Sequence, residues 1–251
     1  MIWLVPLFAI VALLYSSVGF GGGSTYTALL VVAGLNIKLV PVISLICNLI
    51  VTSAGVWKAR KAELFQGSGV GWILLMSVPA AFLGGLTPIS ENALFLLLGG
   101  SLLLAGLQLG WTTFFVQPPD AEAARKIPTW VAPVIGAGVG YLSGIVGIGG
   151  GIFLAPVLHL VNWSSPRKIA ALASAYIAAN SVFGLAGKLI SLGPTDDLAT
   201  VSSFWPLIPA VILGSFIGHR FMLGIFPERI VKAVTAVLIL IVSIRLLLRV
   251  I

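Results

Sequence analysis

Long runs of apolar residues alternate with short polar stretches along this chain. A helix of about 20 apolar residues crosses the hydrocarbon core of a bilayer, and six of the runs are of that length. None of them shows the strict apolar and polar alternation of a membrane β-strand, so the pattern predicts helices. The predicted spans are Ile37 to Trp57, Gly67 to Thr87, Asn92 to Trp111, Ile169 to Ile190, Val201 to Phe221 and Arg229 to Leu248.

Three consecutive glycines interrupt the apolar pattern twice, at 21–23 and at 149–151. Glycine weakens a helix by roughly 1 kcal/mol relative to alanine, so each run predicts a break. The segments that follow match in the same order, with Asn48 and Asn180 in the next helix and VPAAFLGG and IPAVILGS after it. The pattern predicts a single membrane domain over 1–251, made of a first repeat 1–117, a linker 118–128 and a second repeat 129–251.

The direction of the repeats depends on the segment before each glycine run. If that segment crosses fully, the chain has eight crossings and parallel repeats, and Lys and Arg divide eight against six between the two faces. If it enters the membrane and turns back, each repeat is a re-entrant hairpin plus three transmembrane helices, and the repeats are inverted. Ten basic residues then share one face against four, which is a clear positive-inside bias. The inverted arrangement is therefore preferred, with both termini outside and the linker in the cytoplasm.

Composition supports a membrane location. Of the 251 residues, 59% are hydrophobic and 8% are charged, which is too little polar surface to cover a water-soluble globule. The fold class predicted is therefore an all-α polytopic membrane protein. The single cysteine, Cys47, excludes an intrachain disulfide and a metal site built from several cysteines, and no cofactor or metal is expected. The segment before the first glycine run lacks a basic start, so we expect it to belong to the mature fold.

The glycine runs point to a substrate site. Broken backbone at membrane depth is tolerated only against protein or a water-filled cavity, and the amino terminus of a half-helix attracts anions. Two such breaks in corresponding positions are typical of secondary transporters. The predicted substrate-binding residues are Gly21, Gly22, Gly23, Ser24, Thr25, Asn48, Gly149, Gly150, Gly151, Ser174, Tyr176 and Asn180.

Structural roles are the alternative for several of these residues. The two asparagines can form interhelical hydrogen bonds, and Ser24 and Thr25 can cap the half-helix that follows the first break. For the scattered glycines Gly84, Gly99 and Gly136, close helix packing is the favoured interpretation.

The acidic residues all fall at predicted helix ends or in loops, which leaves no carboxylate for the membrane interior. A proton relay of buried acids, a carboxylate-bound cation site and a hydrolase are therefore disfavoured, and we predict that the protein is not an enzyme. Any proton coupling would use the protonation of the substrate itself or of His159.

The GFGGG and GIGGG breaks, with the polar strips SLICN and ASAYIAANS in the next helix of each half, resemble the TauE/SafE sulfite exporter family. The resemblance covers essentially the whole chain. Pro156 supplies the proline that often follows the second break in that family, and the two polar strips align only with a two-residue slip.

The resemblance implies a transporter of sulfite, organosulfonates or related anions in the bacterial inner membrane, working by alternating access. An anion channel that uses the same site is the alternative. The expected partners are a small anionic substrate and the lipid bilayer, not nucleic acid, and homo-oligomerisation is left open.

Overall fold

The computed structural model describes residues 2–18, 21–65, 70–115, 130–160, 163–164, 166–192, 198–220 and 228–248. The described residues form helices and no strands, in agreement with the predicted all-α membrane class. The helices are α1 Leu4–Val18, α2 Gly23–Val32, α3 Val40–Lys61, α4 Val70–Leu86, α5 Glu91–Phe114, α6 Val131–Val146, α7 Gly151–Leu160, α8 Pro166–Ser191, α9 Leu198–Ser203, α10 Leu207–Arg220 and α11 Glu228–Leu247.

Three of the described helices are long and apolar enough to cross a membrane: Val40–Lys61, Glu91–Phe114 and Lys168–Ser191. Helices α4 and α10 are shorter, with 17 and 14 residues. Large apolar side chains such as Leu104 and Phe216 are exposed on the outside of the helical bundle, where lipid is a better solvent for them than water. The chain is a multi-pass membrane protein.

Both predicted glycine breaks are confirmed. Helix α1 ends at Val18 and α2 begins at Gly23, while α6 ends at Val146 and α7 begins at Gly151. Each of the two half-helices, α2 and α7, is 10 residues long.

The backbone solves the two breaks differently. Gly147, Gly149 and Gly150 adopt positive φ angles of 76°, 84° and 80°, a left-handed conformation that favours glycine. None of Gly21, Gly22 and Gly23 has a positive φ. The first run therefore needs glycine for space, and the second needs it for backbone conformation as well.

One predicted helix is wrong in its extent. The segment from Val201 was expected to run unbroken to Phe221, which lies outside the described residues, but helix α9 ends at Ser203 and α10 begins at Leu207. Pro206 lies in the turn between them. Proline has no backbone N–H and disfavours the helical conformation of the residue before it, so it ends one helix and allows another to start.

Helices α4 and α6 run in the same direction with their backbones in close contact. Methyl groups placed on Gly136, Gly140 and Gly144 would meet the carbonyl groups of Ile73, Ser77 and Ala81, one helical turn apart each time. Small residues at this spacing are what lets membrane helices approach closely. Gly84 packs against Tyr141 in the same contact, so the packing role predicted for Gly84 and Gly136 is confirmed.

Helices α1 and α10 form the corresponding pair. Gly214 and Gly218 of α10 lie against the carbonyl groups of Ala9 and Leu13 of α1, so these two helices also run in the same direction. The first helix of each half thus packs against a late helix of the other half.

Two further pairs run in opposite directions. In the pair of α5 and α11, Gly99 lies against Leu247 and Gly106 against Leu240, which also confirms the packing role predicted for Gly99. In the central pair, α3 and α8, Gly55 lies against Ser174 and Leu45 lies near Gly184. The central pair carries most of the polar residues that the sequence singled out.

Candidate functional site

The two glycine breaks meet at Asn48, a fully buried residue of α3. Its Nδ2 donates a hydrogen bond of 2.9 Å to the carbonyl oxygen of Ile148 in the second break. A methyl group placed on Gly21 would lie 2.9 Å from Asn48 Oδ1, and one on Gly149 would lie 3.0 Å from Nδ2. One on Gly23 would overlap both Nδ2 and the Ile148 carbonyl. We call this meeting point of both breaks around Asn48 the junction.

Both half-helices begin at the junction. The first hydrogen bond of α2 runs from Tyr26 N–H to Gly22 O at 2.8 Å, and in α7 both Phe153 N–H and Leu154 N–H donate to Gly150 O, at 3.1 and 3.0 Å. The N–H groups that precede these donors at the start of each half-helix stand outside the helical hydrogen-bond ladder. Because helix dipoles place partial positive charge at these ends, the junction favours a negatively charged group.

Several buried polar atoms beside the breaks lack a hydrogen-bond partner within the described residues. Leaving such an atom unpaired costs roughly 1–3 kcal/mol, so a group of them beside the two breaks indicates a ligand or water there. Four of the side chains lie beside a glycine of one of the two runs, and the fifth, Asn180, lies beside Tyr176, which itself lies beside Gly150. The atoms are Asn48 Oδ1, both amide atoms of Asn180, Ser143 Oγ, Ser181 Oγ and Tyr26 OH.

The second break is lined by α6 and α8. A methyl group on Gly150 would lie 2.8 Å from the Tyr176 ring and 3.2 Å from Ser143 Oγ. The Tyr176 hydroxyl donates to the carbonyl of Gly136 at 2.8 Å, so it holds α8 against α6. Asn180, fully buried, lies beside the same hydroxyl.

The first break is lined by hydroxyl groups that hold α2 in place. Thr25 Oγ1 lies 2.7 Å from the hydroxyl of Tyr15, which ties α2 to α1. Thr27 donates to Ser44 at 3.0 Å, and Ser44 donates to the carbonyl of Gly23 at 3.0 Å. These bonds fix the half-helix to α1 and α3. The residue at the amino-terminal boundary of α2 is Gly22, which has no side chain and supplies no cap.

The structure brings together most of the residues predicted to bind substrate. Gly21, Gly23, Asn48 and Gly149 surround one point. The predicted residues Gly150, Tyr176 and Asn180 line the second break, Gly151 lies against Ile177 of α8, Ser24 is buried in the first turn of α2, and Thr25 faces α1.

Two of the predicted residues face elsewhere. A side chain on Gly22 would point at Val11 and Tyr26, away from Asn48. Ser174 lies two helical turns from the level of Ser181, against Gly55, and its hydroxyl donates to the Ala170 carbonyl. Ser174 is displaced along α8, because seven residues are about two turns and return to the same side of the helix at a different height. Gly22 precedes the first helical residue of α2 and is directed towards α1.

Some residues of the junction escaped the sequence prediction. The Ile148 carbonyl could not be found, because backbone acceptors have no sequence signature. Ser143 could have been suspected, since it stands one turn before the second break. The two asparagines are not equivalent either: counted from the start of each half-helix, Asn48 corresponds to Tyr176.

A second polar cluster lies where α3, α8 and α10 meet, which we call the His219 corner. The ring of His219 is buried, with Nδ1 2.8 Å from the Ser215 carbonyl and Nε2 without a hydrogen-bond partner within the described residues. Lys58 Nζ donates to the His219 carbonyl at 2.6 Å. Lys58 lies ten positions after Asn48 on α3, so the corner is about 15 Å from the junction along that helix.

Comparison with protein families shows to which family the chain belongs. The family model described as "Sulfite exporter TauE/SafE" matches residues 4–246. The chain belongs to the sulfite exporter TauE/SafE family. The resemblance inferred from the two glycine motifs is thereby confirmed.

Known proteins similar to this TauE/SafE member include the "Probable membrane transporter protein y4hK" of Sinorhizobium fredii, 27% identical over 98% of both chains. The "Probable membrane transporter protein MamO" of Magnetospirillum gryphiswaldense is 24% identical over 90% of this chain and 42% of its own length. MamO of Paramagnetospirillum magneticum is 24% identical over 90% and 41%. No solved structure gives a significant match. The family and these relatives support a membrane transporter, not an enzyme.

Proposed function

We propose that this protein is a secondary transporter that moves a small sulfur oxyanion, such as sulfite or an organosulfonate, across the bacterial inner membrane by alternating access. Export is the direction that the family description suggests. The observation that carries the proposal is the junction, where the two breaks meet at Asn48 and buried polar atoms without a partner within the described residues lie beside the same two breaks.

The chemistry of the junction suits an anion. The half-helix termini offer N–H donors, and Asn180 and Ser181 add donors that have no partner within the described residues. The carboxylates whose side chains the structure describes, Glu63 and Glu91, are both exposed, away from this buried point. A site rich in donors and partial positive charge binds an oxyanion in preference to a cation.

The helix directions support the inverted arrangement of repeats. Parallel repeats would place equivalent helices in the same direction, yet the equivalent pairs α3 with α8 and α5 with α11 are antiparallel. By the repeat, α1 corresponds to α6 and α4 corresponds to α10. Exchanging the two repeats therefore turns the pair of α1 and α10 into the pair of α6 and α4, as a pseudo-two-fold axis in the membrane plane requires. We therefore retain six crossings, two re-entrant hairpins, outside termini and a cytoplasmic linker. The linker 118–128 lies outside the described residues, as does the side chain of His159.

The closed packing of the junction favours alternating access over a channel. Asn48, Asn180 and Ser181 are fully buried, so substrate can reach them only if helices move. The backbone contacts between α4 and α6 and between α1 and α10 make each pair a rigid unit. We propose that the moving bodies are these mixed pairs and their neighbours, instead of one complete repeat moving against the other.

Flux into proteoliposomes tests the proposal. We expect uptake of labelled sulfite that saturates with concentration and is inhibited by organosulfonates. Asn48→Ala and Asn180→Ala should each weaken binding by about 1 to 3 kcal/mol, the cost of a lost buried partner. The matched control is Gly138→Ala on α6, where a methyl group meets nothing within 4 Å.

Two results would contradict the proposal. Flux that rises linearly with concentration and never saturates would favour the anion channel. Normal binding in both asparagine variants would place the substrate elsewhere.

A further inference from the structure

The amide of Asn48 has only one orientation that satisfies its surroundings. The Ile148 carbonyl, 2.9 Å away, can only accept a hydrogen bond, so the atom facing it must be the Nδ2 donor. The amide oxygen is consequently turned to the opposite side, towards Gly21. The protein itself thus fixes an acceptor, and not a donor, on the Gly21 side of the junction.

This acceptor receives no hydrogen bond within the described residues. The three atoms nearest to a methyl group added at Gly21 are Asn48 Oδ1 at 2.9 Å and two carbon atoms, Ile177 Cγ2 at 3.1 Å and Thr52 Cγ2 at 3.2 Å. The Thr52 hydroxyl, which could have served, donates instead to the backbone carbonyl of Asn48 at 2.7 Å. Asn48 Oδ1 is therefore a buried acceptor in need of a donor.

We infer that the substrate carries a hydrogen-bond donor as well as its anionic group. This inference rests on the proposed function and narrows its substrate class to protonated oxyanions, such as hydrogen sulfite, and to sulfonates that bear a hydroxyl or amino group. Their anionic oxygens accept hydrogen bonds from the half-helix N–H groups, and their donor pairs with Asn48 Oδ1. A fully deprotonated oxyanion, such as sulfate or the sulfite dianion, has only acceptor atoms. These atoms repel Asn48 Oδ1 and leave it without a donor, which lowers the affinity.

A consequence for energy coupling follows. If sulfite is bound as hydrogen sulfite, the proton that pairs with Asn48 crosses the membrane with the anion. Transport then responds to a pH gradient without a titrating carboxylate at the junction.

Three sulfonates of similar size test the inference on the purified full chain by isothermal titration calorimetry. Ethanesulfonate lacks a donor, isethionate carries a hydroxyl group, and taurine carries an ammonium group. An unsatisfied buried partner costs roughly 1–3 kcal/mol, so we expect isethionate and taurine to bind about fivefold to 150-fold more tightly than ethanesulfonate. Hydrogen sulfite, which predominates under acidic conditions, should likewise bind more tightly than the dianion that predominates under alkaline conditions.

Variants assign the preference to Asn48. In Asn48→Leu the ratio of isethionate to ethanesulfonate affinity should fall to about 1, since the acceptor is gone. The control is Ser53→Ala on the same helix, an exposed residue whose hydroxyl donates to the Ile50 carbonyl, and it should keep the wild-type ratio. The wild-type panel decides the question even if the leucine variant does not fold.

The outcomes separate the inference from the proposed function. Equal affinity of the wild type for ethanesulfonate and isethionate overturns the inference and leaves the proposed function standing. Failure of every sulfur anion to bind overturns the proposed function, and the inference with it. A wild-type ratio that persists in Asn48→Leu also overturns the inference, because the donor must then pair with another group.

Discussion

Adding one methyl group at Gly23 should break the contact between the two halves of the protein. Gly23 begins α2 and does not have a positive φ, so alanine fits its backbone. The new methyl group, however, would overlap Asn48 Nδ2 and the Ile148 carbonyl, the two partners of the hydrogen bond that joins the breaks. The Gly23→Ala variant therefore isolates the steric requirement of the junction.

The magnitude follows from three contributions. Separating a buried donor and acceptor costs roughly 1–3 kcal/mol, and forcing an extra methyl group into a packed interior costs about 1–3 kcal/mol. Alanine favours a helix by at most about 1 kcal/mol over glycine, and less at a first position. We expect a net loss of about 3 kcal/mol.

Thermal unfolding in detergent micelles, followed by the fluorescence of the seven tryptophans, measures this loss. For a protein of this size a destabilisation of about 3 kcal/mol lowers the midpoint by roughly 6–12 °C. The same glycine-to-alanine change at Gly138 in α6 meets open space and should raise the midpoint by about 2–4 °C, because only helix propensity changes. Opposite signs are the prediction. If both variants shift the midpoint equally, or Gly23→Ala leaves it unchanged, the two breaks do not meet as described.

Three further predictions concern other parts of the fold. Gly149→Ala should destabilise the protein by at least about 1 kcal/mol more than Gly138→Ala in the same unfolding assay, because its φ of 84° strains any side chain; equal effects would contradict the left-handed break. In a cysteine-free background, cysteines introduced at the exposed positions Asn36 and Ser191 should both react with an impermeant thiol reagent added outside, whereas reaction from opposite faces would exclude inverted repeats. Lys58→Met should lower the unfolding midpoint by about 2–4 °C, since the ammonium group holds a carbonyl at the end of α10, while isethionate affinity should stay unchanged; a large affinity loss would extend the substrate site to the His219 corner.

The sequence alone located the glycine breaks correctly because three consecutive glycines have a direct local effect on a helix. It also identified Gly84, Gly99 and Gly136 as packing positions, because small residues in membrane helices allow neighbouring helices to approach closely. Local chemistry of this kind is visible in a single sequence.

The parts that were missed depend on contacts between distant segments or on a single residue with a competing preference. Asn48 corresponds by spacing to Tyr176, and its partner is a backbone carbonyl of the other half, which no residue pattern could reveal. Pro206 divides a segment whose apolar pattern continues without interruption. The prediction followed the hydropathy of the segment, whereas the helix-breaking effect of the proline determined the structure. The placement of Ser174 away from the junction became visible only when the position of the junction along α8 was known.

The contact between α1 and α10 also determines the order in which the protein can be assembled. Ala9 and Leu13 lie against Gly214 and Gly218, so the two helices are synthesised about 200 residues apart. During that interval α1 lacks the glycines of α10 against which its backbone carbonyl groups pack in the folded protein. Folding units normally complete themselves as they emerge from the ribosome. The first repeat of this protein cannot complete its packing in that way. Its first helix, α1, reaches its final position only after most of the second repeat has been synthesised.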